Sequence, residues 1–346
     1  MVPWIRSHSR IALSLGFECE RTGHARLWHQ WRRRAIVLTG SQMNLSSILI
    51  TGSSGCLGRP LANRLAGEGR KVVGLDIVRA SGMIAFEEVT GDVCDVHLLH
   101  RLFSEHAFDA VVHCGGISGQ MVAADDPYRN FHVNVFGTAN LLEVSRAHKV
   151  DRFIYCSSQG AYGDAAAGTI AEDTPFLPVT MYGATKAACD LMARAYSIQH
   201  GLNSTSLRIG RVYGPGRRTS SLITTMMEAA VSRQKLRLAG SGGPRVQYVY
   251  QADIVSALYL SLKAASLPQP SYNVSGPGSY SDDEIAAMIC SLVPDADIDF
   301  EGTKVDRDFS GLLLDYSAAH RDFGYAPEYT LETGLRAFLA ELQSRK

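Results

Sequence analysis

A tyrosine and a lysine four residues apart, Tyr182 and Lys186, are the residues best suited to acid–base chemistry in this sequence. They open a stretch with helical periodicity, and positions i and i+4 share one helix face. A lysine ammonium beside a phenol stabilises the phenolate, which can take a proton from a substrate hydroxyl. Ser158, at the end of a short apolar strand, could hydrogen-bond the same oxygen. Such a pair also occurs on helix surfaces, so this prediction depends on the surrounding motifs.

A glycine-rich loop before this pair has the form of a dinucleotide-binding turn. The segment Thr51–Gly58 (TGSSGCLG) follows an apolar strand and opens a helical stretch. Its glycines permit a tight turn and a close approach of backbone to a pyrophosphate, which the helix N-terminus stabilises. The next strand ends at Asp76, whose carboxylate can accept both ribose hydroxyls of NAD and would repel the 2′-phosphate of NADP. The sequence therefore predicts NAD, with NADP the less favoured alternative because Arg79 follows closely.

Short apolar strands alternate with longer helical stretches as far as about Gly210. The predicted strands are Ile48–Thr51, Val72–Asp76, Ala110–His113 and Phe153–Cys156, and the longest predicted helices span 128–148 and 182–200. Strands that are apolar on both faces and alternate with helices indicate a parallel sheet covered on both sides. We therefore predict an α/β fold, a Rossmann-type doubly wound parallel sheet with a smaller, mostly C-terminal substrate-binding region.

The predicted domains follow from a change of pattern near residue 210. Residues 43–210 form mainly the NAD-binding domain and carry the catalytic residues. Residues 211–346, which Gly/Pro-rich stretches interrupt, form mainly the substrate-binding region and are interleaved with the first domain. Residues 1–42 are rich in arginine and poor in acidic residues; we predict a disordered extension, with organelle targeting as the alternative.

The order of these motifs resembles the extended short-chain dehydrogenase/reductases of the NAD-dependent epimerase/dehydratase family, UDP-glucose 4-epimerases in particular. The resemblance covers residues from about 47 to 345. It rests on stretches that include TGSSGCLG (51–58), FDAVVHCGG (108–116), NVFGT (134–138), CSSQGAYG (156–163), YGATK (182–186) and LRIGRVYG (207–214). It implies an enzyme that transfers hydride from a sugar carbon to NAD and, as an epimerase, returns it to the other face.

The resemblance also implies roles for individual residues. Ser158, Tyr182 and Lys186 would be catalytic. Besides Tyr182 and Lys186, the implied cofactor contacts are Gly52, Ser54, Gly55, Cys56, Leu57, Gly58, Asp76, Asp92, Val93, Cys114, Gly115, Gly116 and Asn134. The two long predicted helices match those that pair in dimeric members of the family, so a homodimer is expected.

Several residues depart from the family pattern where the substrate would bind. Gln159 and Gly160 stand where dehydratases carry the Asp-Glu pair that expels water, so dehydration is disfavoured. Nucleotide-sugar enzymes usually carry Asn at the position of Arg211 and Arg at the position of Val246, and Arg245 lies one residue early. Both of the missing groups normally hold the nucleotide or its diphosphate.

These departures leave more than one function open. Residues 115–118 and 207–210 resemble stretches of uronate dehydrogenases, which oxidise free sugar acids. A nucleotide-sugar epimerase and a dehydrogenase of a free sugar acid are therefore the two main hypotheses; a non-catalytic NAD-binding protein is a third. An arginine cluster of Arg211, Arg217 and Arg218 predicts an anionic substrate. The candidate substrate contacts are Ser118, Ser158, Arg211, Arg217 and Arg245.

The composition argues against several other classes of protein. Lys+Arg and Asp+Glu each number 34, which gives no support to nucleic-acid or anionic-membrane binding. No apolar run reaches the roughly 18 residues that span a bilayer. The seven cysteines form no C-x-x-C pair, so neither a metal site nor a disulfide framework is predicted. Reduced thiols in a cytoplasmic protein are the expectation.

Overall fold

A parallel β-sheet with helices on both faces carries most of the predicted site residues. The structure is a computed structural model that describes residues 43, 45–119, 122–164, 168–217, 219, 221–240, 245–302 and 311–344. The predicted extension at 1–42 and the predicted anion contact Arg218 lie outside these residues.

The secondary structure of the described residues alternates strands and helices from Ser47 onward. The strands are β1 (Ser47–Thr51), β2 (Lys71–Asp76), β3 (Glu87–Thr90), β4 (Ala110–His113), β5 (Arg152–Ser158), β6 (Gly168–Ile170), β7 (Ser204–Ile209), β8 (Arg211–Tyr213), β9 (Leu236–Ala239), β10 (Tyr248–Tyr250), β11 (Ser271–Val274), β12 (Ile298–Glu301) and β13 (Leu312–Leu314). The α-helices are α1 (Gly58–Gly67), α2 (Val96–His106), α3 (Pro127–Phe131), α4 (Gly137–Ala147), α5 (Met181–His200), α6 (Leu222–Ser232), α7 (Gln251–Lys263), α8 (Asp282–Leu292), α9 (Ser317–Phe323) and α10 (Leu331–Ser344). A π-helical turn, His132–Phe136, joins α3 to α4, and a 3₁₀ turn, Gln159–Ala161, follows β5.

The central sheet has the predicted doubly wound topology. Among the described residues, seven parallel strands form one sheet in the order β11-β7-β5-β4-β1-β2-β3. Ile48 of β1 lies opposite Val72 on one side and Ala110 on the other. The strand order therefore reverses between β1 and β4, and in such sheets ligands bind at this crevice, outside the carboxyl ends of the strands.

Alternation along the strands builds an apolar layer on each face of the sheet. Ile48 and Ile50 pack in one cluster with Leu61 and Leu65 of α1 and with Leu258 of α7. Leu49 between them belongs to the opposite cluster, with side chains of α2 and α4. Because both faces of the sheet are covered, its central strands are apolar at nearly every position, which is why the sequence made them easy to recognise.

The later part of the chain both completes the sheet and forms a core of its own. Strand β11 pairs with β7 at one edge of the central sheet. A separate apolar cluster contains Ile223 and Met226 of α6, Ile285 of α8 and Leu335 of α10. Three short parallel pairs, β8 with β10, β9 with β12 and β6 with β13, accompany this part of the chain. The residues after 210 thus contribute both to the central sheet and to a separate apolar cluster.

The described part of the chain contains neither a membrane-spanning helix nor a metal-binding cluster. None of its helices combines the length and apolar character needed to cross a membrane. Nor does any group of three or more His, Cys, Asp or Glu side chains there form a metal-binding cluster. Its six cysteines are all free thiols.

Candidate active site

The glycine loop between β1 and α1 packs against the chain that follows β4. Gly52 has a φ of +68°, and a Cβ at this residue would lie 2.7 Å from the backbone nitrogen of Gly115. A Cβ at Gly58 would collide with the carbonyl oxygen of Gly52. Helix α1 begins at Gly58, and no side chain of a described residue caps its N-terminus. The loop therefore has backbone N–H groups and a helix dipole that fit a pyrophosphate.

Asp76 at the end of β2 lies against this loop. Its Oδ2 accepts a hydrogen bond from the backbone N–H of Ser54 at 3.0 Å, and its Oδ1 accepts one from Val78 at 3.2 Å. The hydroxyl of Ser54 donates to the carbonyl of Val78 at 2.7 Å. A half-buried carboxylate beside a glycine loop of this kind is an acceptor that fits the hydroxyls of an adenosine ribose.

The residues after β3 supply two further predicted cofactor contacts. Asp92 is exposed, and its Oδ1 accepts a hydrogen bond from the backbone N–H of Cys94 at 2.9 Å. Val93 is buried, and a Cβ at Gly137 in the first turn of α4 would lie 2.6 Å from its Cγ2. Asp92 and Val93 come just after β3, whose last residue, Thr90, pairs with Asp76. Their position therefore fits an adenine contact.

A buried histidine ties the loops of this crevice together. His113 Nδ1 lies 2.6 Å from Thr51 Oγ1, and its Nε2 lies 3.0 Å from Thr138 Oγ1. The Thr138 hydroxyl donates to the carbonyl of Asn134, so it accepts from Nε2–H, and Nδ1 is left to accept from Thr51. Burial, with the nearby Lys186 ammonium, lowers the pKa of His113 to about 3. The imidazole is therefore neutral and serves as a fixed link.

Asn134 lies in the π-helical turn and connects the β4 loop to the helix that carries Tyr182. Its Oδ1 accepts from the backbone N–H of Ile117 at 2.8 Å, and its Nδ2 donates to Thr185 Oγ1 at 3.0 Å and to Asn130 Oδ1 at 2.9 Å. The Thr185 hydroxyl in turn donates to the carbonyl of Tyr182 at 2.8 Å. π-helical turns are frequent at functional sites. The geometry gives this predicted cofactor contact a positioning role that the sequence did not suggest.

Ser158 and Tyr182 converge on the 3₁₀ turn after β5. A Cβ at Gly160 would lie 3.5 Å from both Ser158 Oγ and a ring carbon of Tyr182. The hydroxyl of Ser158 accepts a hydrogen bond from the N–H of Gly160 at 3.1 Å, which leaves its proton free to be donated. Helix α5 begins beside this turn with Thr180 as its N-cap, and Gly183 allows its backbone to meet the carbonyl of Gly160.

Lys186 completes the predicted catalytic set from one turn further along α5. Its side chain is buried, and Nζ donates to the carbonyl of Cys156 at 2.9 Å. The ammonium lies 5.9 Å from the ring centroid of Tyr182 and 4.9 Å from that of Tyr155. The structure thus brings Ser158, Tyr182 and Lys186 together near the carboxyl ends of β4 and β5.

Arg217, a predicted substrate contact, lies in the loop that follows β8. Its Nε donates to Thr219 Oγ1 at 2.8 Å and its Nη1 to the carbonyl of Val212. Burial lowers the pKa of Arg217, and the groups that also influence it are Cys56 of the glycine loop, Tyr182 and Arg211. The loop after β8 packs against the glycine loop, since a Cβ at the neighbouring Gly216 would lie 4.0 Å from the Cβ of Cys56, and so it brings a cation to the candidate cofactor crevice.

The other predicted substrate contacts lie in less enclosed places. Arg211 is half-buried and opens β8, opposite Tyr248 of β10. Ser118 is exposed. Arg245 is exposed, and its two terminal nitrogens donate to Glu284 Oε1 at 2.8 Å and to the carbonyl of Ser279. Because its guanidinium is engaged with α8, Arg245 is the least favoured of the predicted substrate contacts.

Comparison with known proteins agrees with this geometry. A model of the NAD dependent epimerase/dehydratase family matches residues 48–275. The dTDP-glucose 4,6-dehydratase of Neisseria gonorrhoeae is 28% identical over 328 residues, which cover 84% of this chain and 93% of the relative. UDP-glucuronate 4-epimerase 1 of Arabidopsis thaliana is 27% identical over 354 residues, covering 90% of this chain and 80% of the relative.

Solved structures share the fold. The UDP-glucose 4-epimerase of Thermotoga maritima, crystallised with UDP-glucose, superposes with a TM-score of 0.79 at 23% sequence identity. The superposition covers 86% of this chain and 99% of the epimerase. At this identity the likeness establishes the fold, and the predicted Rossmann-type architecture is confirmed.

Proposed function

Because this chain belongs to the NAD dependent epimerase/dehydratase family, we propose that it is an NAD-dependent enzyme that epimerises a nucleotide sugar at a hydroxyl-bearing carbon. The observation that carries the proposal is the arrangement of Ser158 and Tyr182 around Gly160, with the Lys186 ammonium 5.9 Å from the Tyr182 ring. The glycine loop and Asp76 supply the matching cofactor site. The residues after 210, through the loop that carries Arg217, would contribute most of the substrate contacts.

The chain's own residues account for the proton transfers of such a reaction. Tyr182, as phenolate stabilised by Lys186, would take the proton of the substrate hydroxyl and later return it. Ser158 would donate a hydrogen bond to the same oxygen, because its hydroxyl already accepts from Gly160. NAD, when bound by the glycine loop and Asp76, supplies the hydride acceptor. Lys186 is anchored by the Cys156 carbonyl, so its charge stays beside the tyrosine throughout.

Specific residues distinguish epimerisation from two related activities, dehydration and net oxidation. Gln159 and Gly160 lack the carboxylates that expel water in dehydratases, so the proposal is epimerisation rather than dehydration. Net oxidation of a free sugar acid is the second candidate, because the Arg217 guanidinium in the loop after β8 would pair with a carboxylate on the substrate. A non-catalytic NAD-binding role has no comparable support, since the tyrosine, lysine and serine are all in place.

The experiment that tests the proposal incubates purified protein and NAD with UDP-glucose, UDP-glucuronate and the corresponding free sugar acids. Epimerisation is expected to yield a new nucleotide sugar on chromatography without a lasting rise in NADH absorbance. Stoichiometric NADH formation from a free sugar acid would instead establish the dehydrogenase. If neither reaction occurs while NAD is bound, both the epimerase and the dehydrogenase hypotheses are contradicted.

Cofactor preference is expected to depend on Asp76. NAD should bind more tightly than NADP, since the carboxylate accepts ribose hydroxyls and repels a 2′-phosphate. Asp76→Ala removes both effects and should narrow the difference, which titration calorimetry measures. Wild-type protein that binds NADP more tightly than NAD would show that Asp76 has another role.

We expect Arg211 to bind the negatively charged group of the substrate. Arg211→Met keeps much of the bulk and removes the charge. Loss of a charge-assisted hydrogen bond costs about 1.5–3 kcal/mol, so apparent substrate affinity should fall about ten- to a hundredfold while NAD affinity stays unchanged. Arg336→Met, which removes an exposed arginine of α10 paired with Glu332, is the matched control. Equal kinetics for the two variants, or a neutral best substrate, would refute the anionic-substrate hypothesis.

We propose a homodimer from the exposed apolar side chains of two helical segments. The first segment is α3 with the π-helical turn, and the second is α5. Tyr128 and Phe136 on the first segment are 74% and 46% exposed, and Leu191 and Ile198 on α5 are 52% and 56% exposed. Large apolar side chains on one helical surface are typical of a contact between subunits. Light scattering should give the mass of a dimer, and Leu191→Asp should shift it toward the monomer. Met83→Asp, at a 95% exposed loop position, should leave the dimer intact; a monomeric wild type would disprove the proposal.

We also propose a cytoplasmic location, which the free thiols support because a reducing compartment keeps cysteines unpaired. Cell fractionation with an antibody against the chain would test it.

A further inference from the structure

Two cysteine sulfurs approach each other where β4 and β5 run side by side. Cys114 Sγ and Cys156 Sγ lie 3.3 Å apart. His113 of β4 pairs with Tyr155 of β5, so the two cysteines are the next residues in the same parallel register. Neighbouring strands are about 4.8 Å apart, which falls inside the Cα separation of roughly 4.4–6.8 Å that disulfides bridge. The strand pairing therefore permits a disulfide, provided that the two strand ends shift locally to bring the sulfurs together.

The chain positions of these cysteines connect them to the site. Cys114 is followed by Gly115, whose N–H donates to Thr51 Oγ1 at 3.1 Å. The carbonyl of Cys156 accepts the hydrogen bond from Lys186, and Ser157 and Ser158 follow it. Cys156 is buried and Cys114 is half-buried, and the hydrogen bond with the Cys156 thiol, together with burial, raises the pKa of Cys114.

We propose that Cys114 and Cys156 form a modification site, a dithiol that hydrogen peroxide converts into a reversible disulfide. One sulfur gives two electrons to the peroxide and becomes a sulfenic acid, with release of one water. The other sulfur attacks it, the S–S bond forms, and the hydroxyl leaves with the remaining thiol proton as a second water. Both thiols are oxidised and the peroxide is reduced, and a dithiol reagent reverses the step.

The disulfide would disturb the site through Lys186 and the glycine loop. An S–S bond is about 2.05 Å long, so the sulfurs must move together by more than ~1 Å from their present contact. Such a shift moves the backbone that anchors Lys186 and Gly115. A displacement of ~1 Å in an active site can cost about a hundredfold in rate, and we expect a loss of that order. This consequence rests on the proposed function; the formation of the disulfide does not.

The test exposes the full chain to hydrogen peroxide, blocks the remaining thiols and maps disulfide-linked peptides by mass spectrometry before and after dithiothreitol. The expected result is a Cys114–Cys156 linked peptide that dithiothreitol removes. In the same samples, turnover should fall about a hundredfold and return on reduction. Peptide mapping needs no turnover, so a chain that proves inactive on all sugars would still report on the linkage.

Matched variants separate this pair from general oxidation. Cys156→Ser should form no link and should keep a larger fraction of its own starting activity in peroxide. Cys290→Ser, which removes a thiol of α8 that lies near the carbonyl of Ala296, should behave as the wild type does. A chain in which Cys114 and Cys156 stay unlinked, or link to Cys56 instead of to each other, would overturn the proposal. So would a linked protein with undiminished turnover.

Discussion

Replacing Tyr182 with Phe should lower turnover by about 100- to 10,000-fold, the usual contribution of a positioned acid–base group. The change removes one phenolic oxygen and keeps the ring, which lies beside Gly160 and within 5.9 Å of the Lys186 ammonium. NAD affinity should change little, because the glycine loop and Asp76 are untouched. Steady-state kinetics on the best substrate and calorimetry with NAD measure the two quantities.

A second tyrosine on the same helix provides the control for this loss. Tyr196→Phe removes a hydroxyl that donates to Glu143 at 3.2 Å on an exposed surface, and its turnover should match that of the wild type. If Tyr182→Phe turned over as fast as Tyr196→Phe, the tyrosine would not be the acid–base group and the mechanism would be wrong.

Loss of Arg208 should lower the stability of the protein strongly, because its guanidinium is buried and paired. Arg208 on β7 and Asp190 on α5 are 7% and 2% exposed and form two hydrogen bonds of 3.1 Å. Arg208 also donates to Tyr162 Oη at 2.8 Å and to the carbonyl of Glu172 at 2.6 Å. Removing one partner of a buried ion pair leaves an uncompensated charge, so Arg208→Met should lower the free energy of unfolding by about 3–5 kcal/mol. Urea denaturation monitored by circular dichroism measures it.

Two comparisons make that prediction specific. Arg336→Met breaks an exposed pair with Glu332, and exposed pairs contribute only about 0–1 kcal/mol. The double variant Arg208→Met with Asp190→Leu removes both charges and should be more stable than Arg208→Met alone. A single variant as stable as Arg336→Met, or a double variant less stable than the single one, would show that an uncompensated buried charge is not the cause of the lost stability.

The sequence predicted the strands that are apolar at nearly every position and missed strands with several polar residues, including β11, which is buried throughout. β4 is predicted with its observed bounds, Ala110–His113, because each of its residues is buried. β3, Glu87–Thr90, lies at the edge of the sheet with no residue fully buried, so its polar residues gave no strand signal. The helix predicted over 128–148 is present as α3, a π-helical turn and α4, an interruption that periodicity does not reveal.

In the site, too, some features could be predicted from local sequence and others depend on tertiary packing. Tyr182, Lys186 and Ser158 could be identified because local spacing and strand ends determine where they lie. The packing of the loop that carries Arg217 against the glycine loop could not be predicted, since it depends on how a segment distant in the sequence folds back over the sheet. The approach of Cys114 to Cys156 likewise arises from strand pairing, and nothing in the spacing of the cysteines along the chain indicates it.

The hydrogen on the reacting carbon provides the most direct test of the proposed mechanism. UDP-glucose and UDP-glucuronate carrying deuterium on carbon 4 are incubated with the purified chain and NAD, and the separated products are examined by mass spectrometry and NMR. The proposal predicts a product of inverted configuration at that carbon with the deuterium retained, and no conversion when NAD is removed. A product in which solvent hydrogen replaces the deuterium, or inversion that proceeds without NAD, would contradict it.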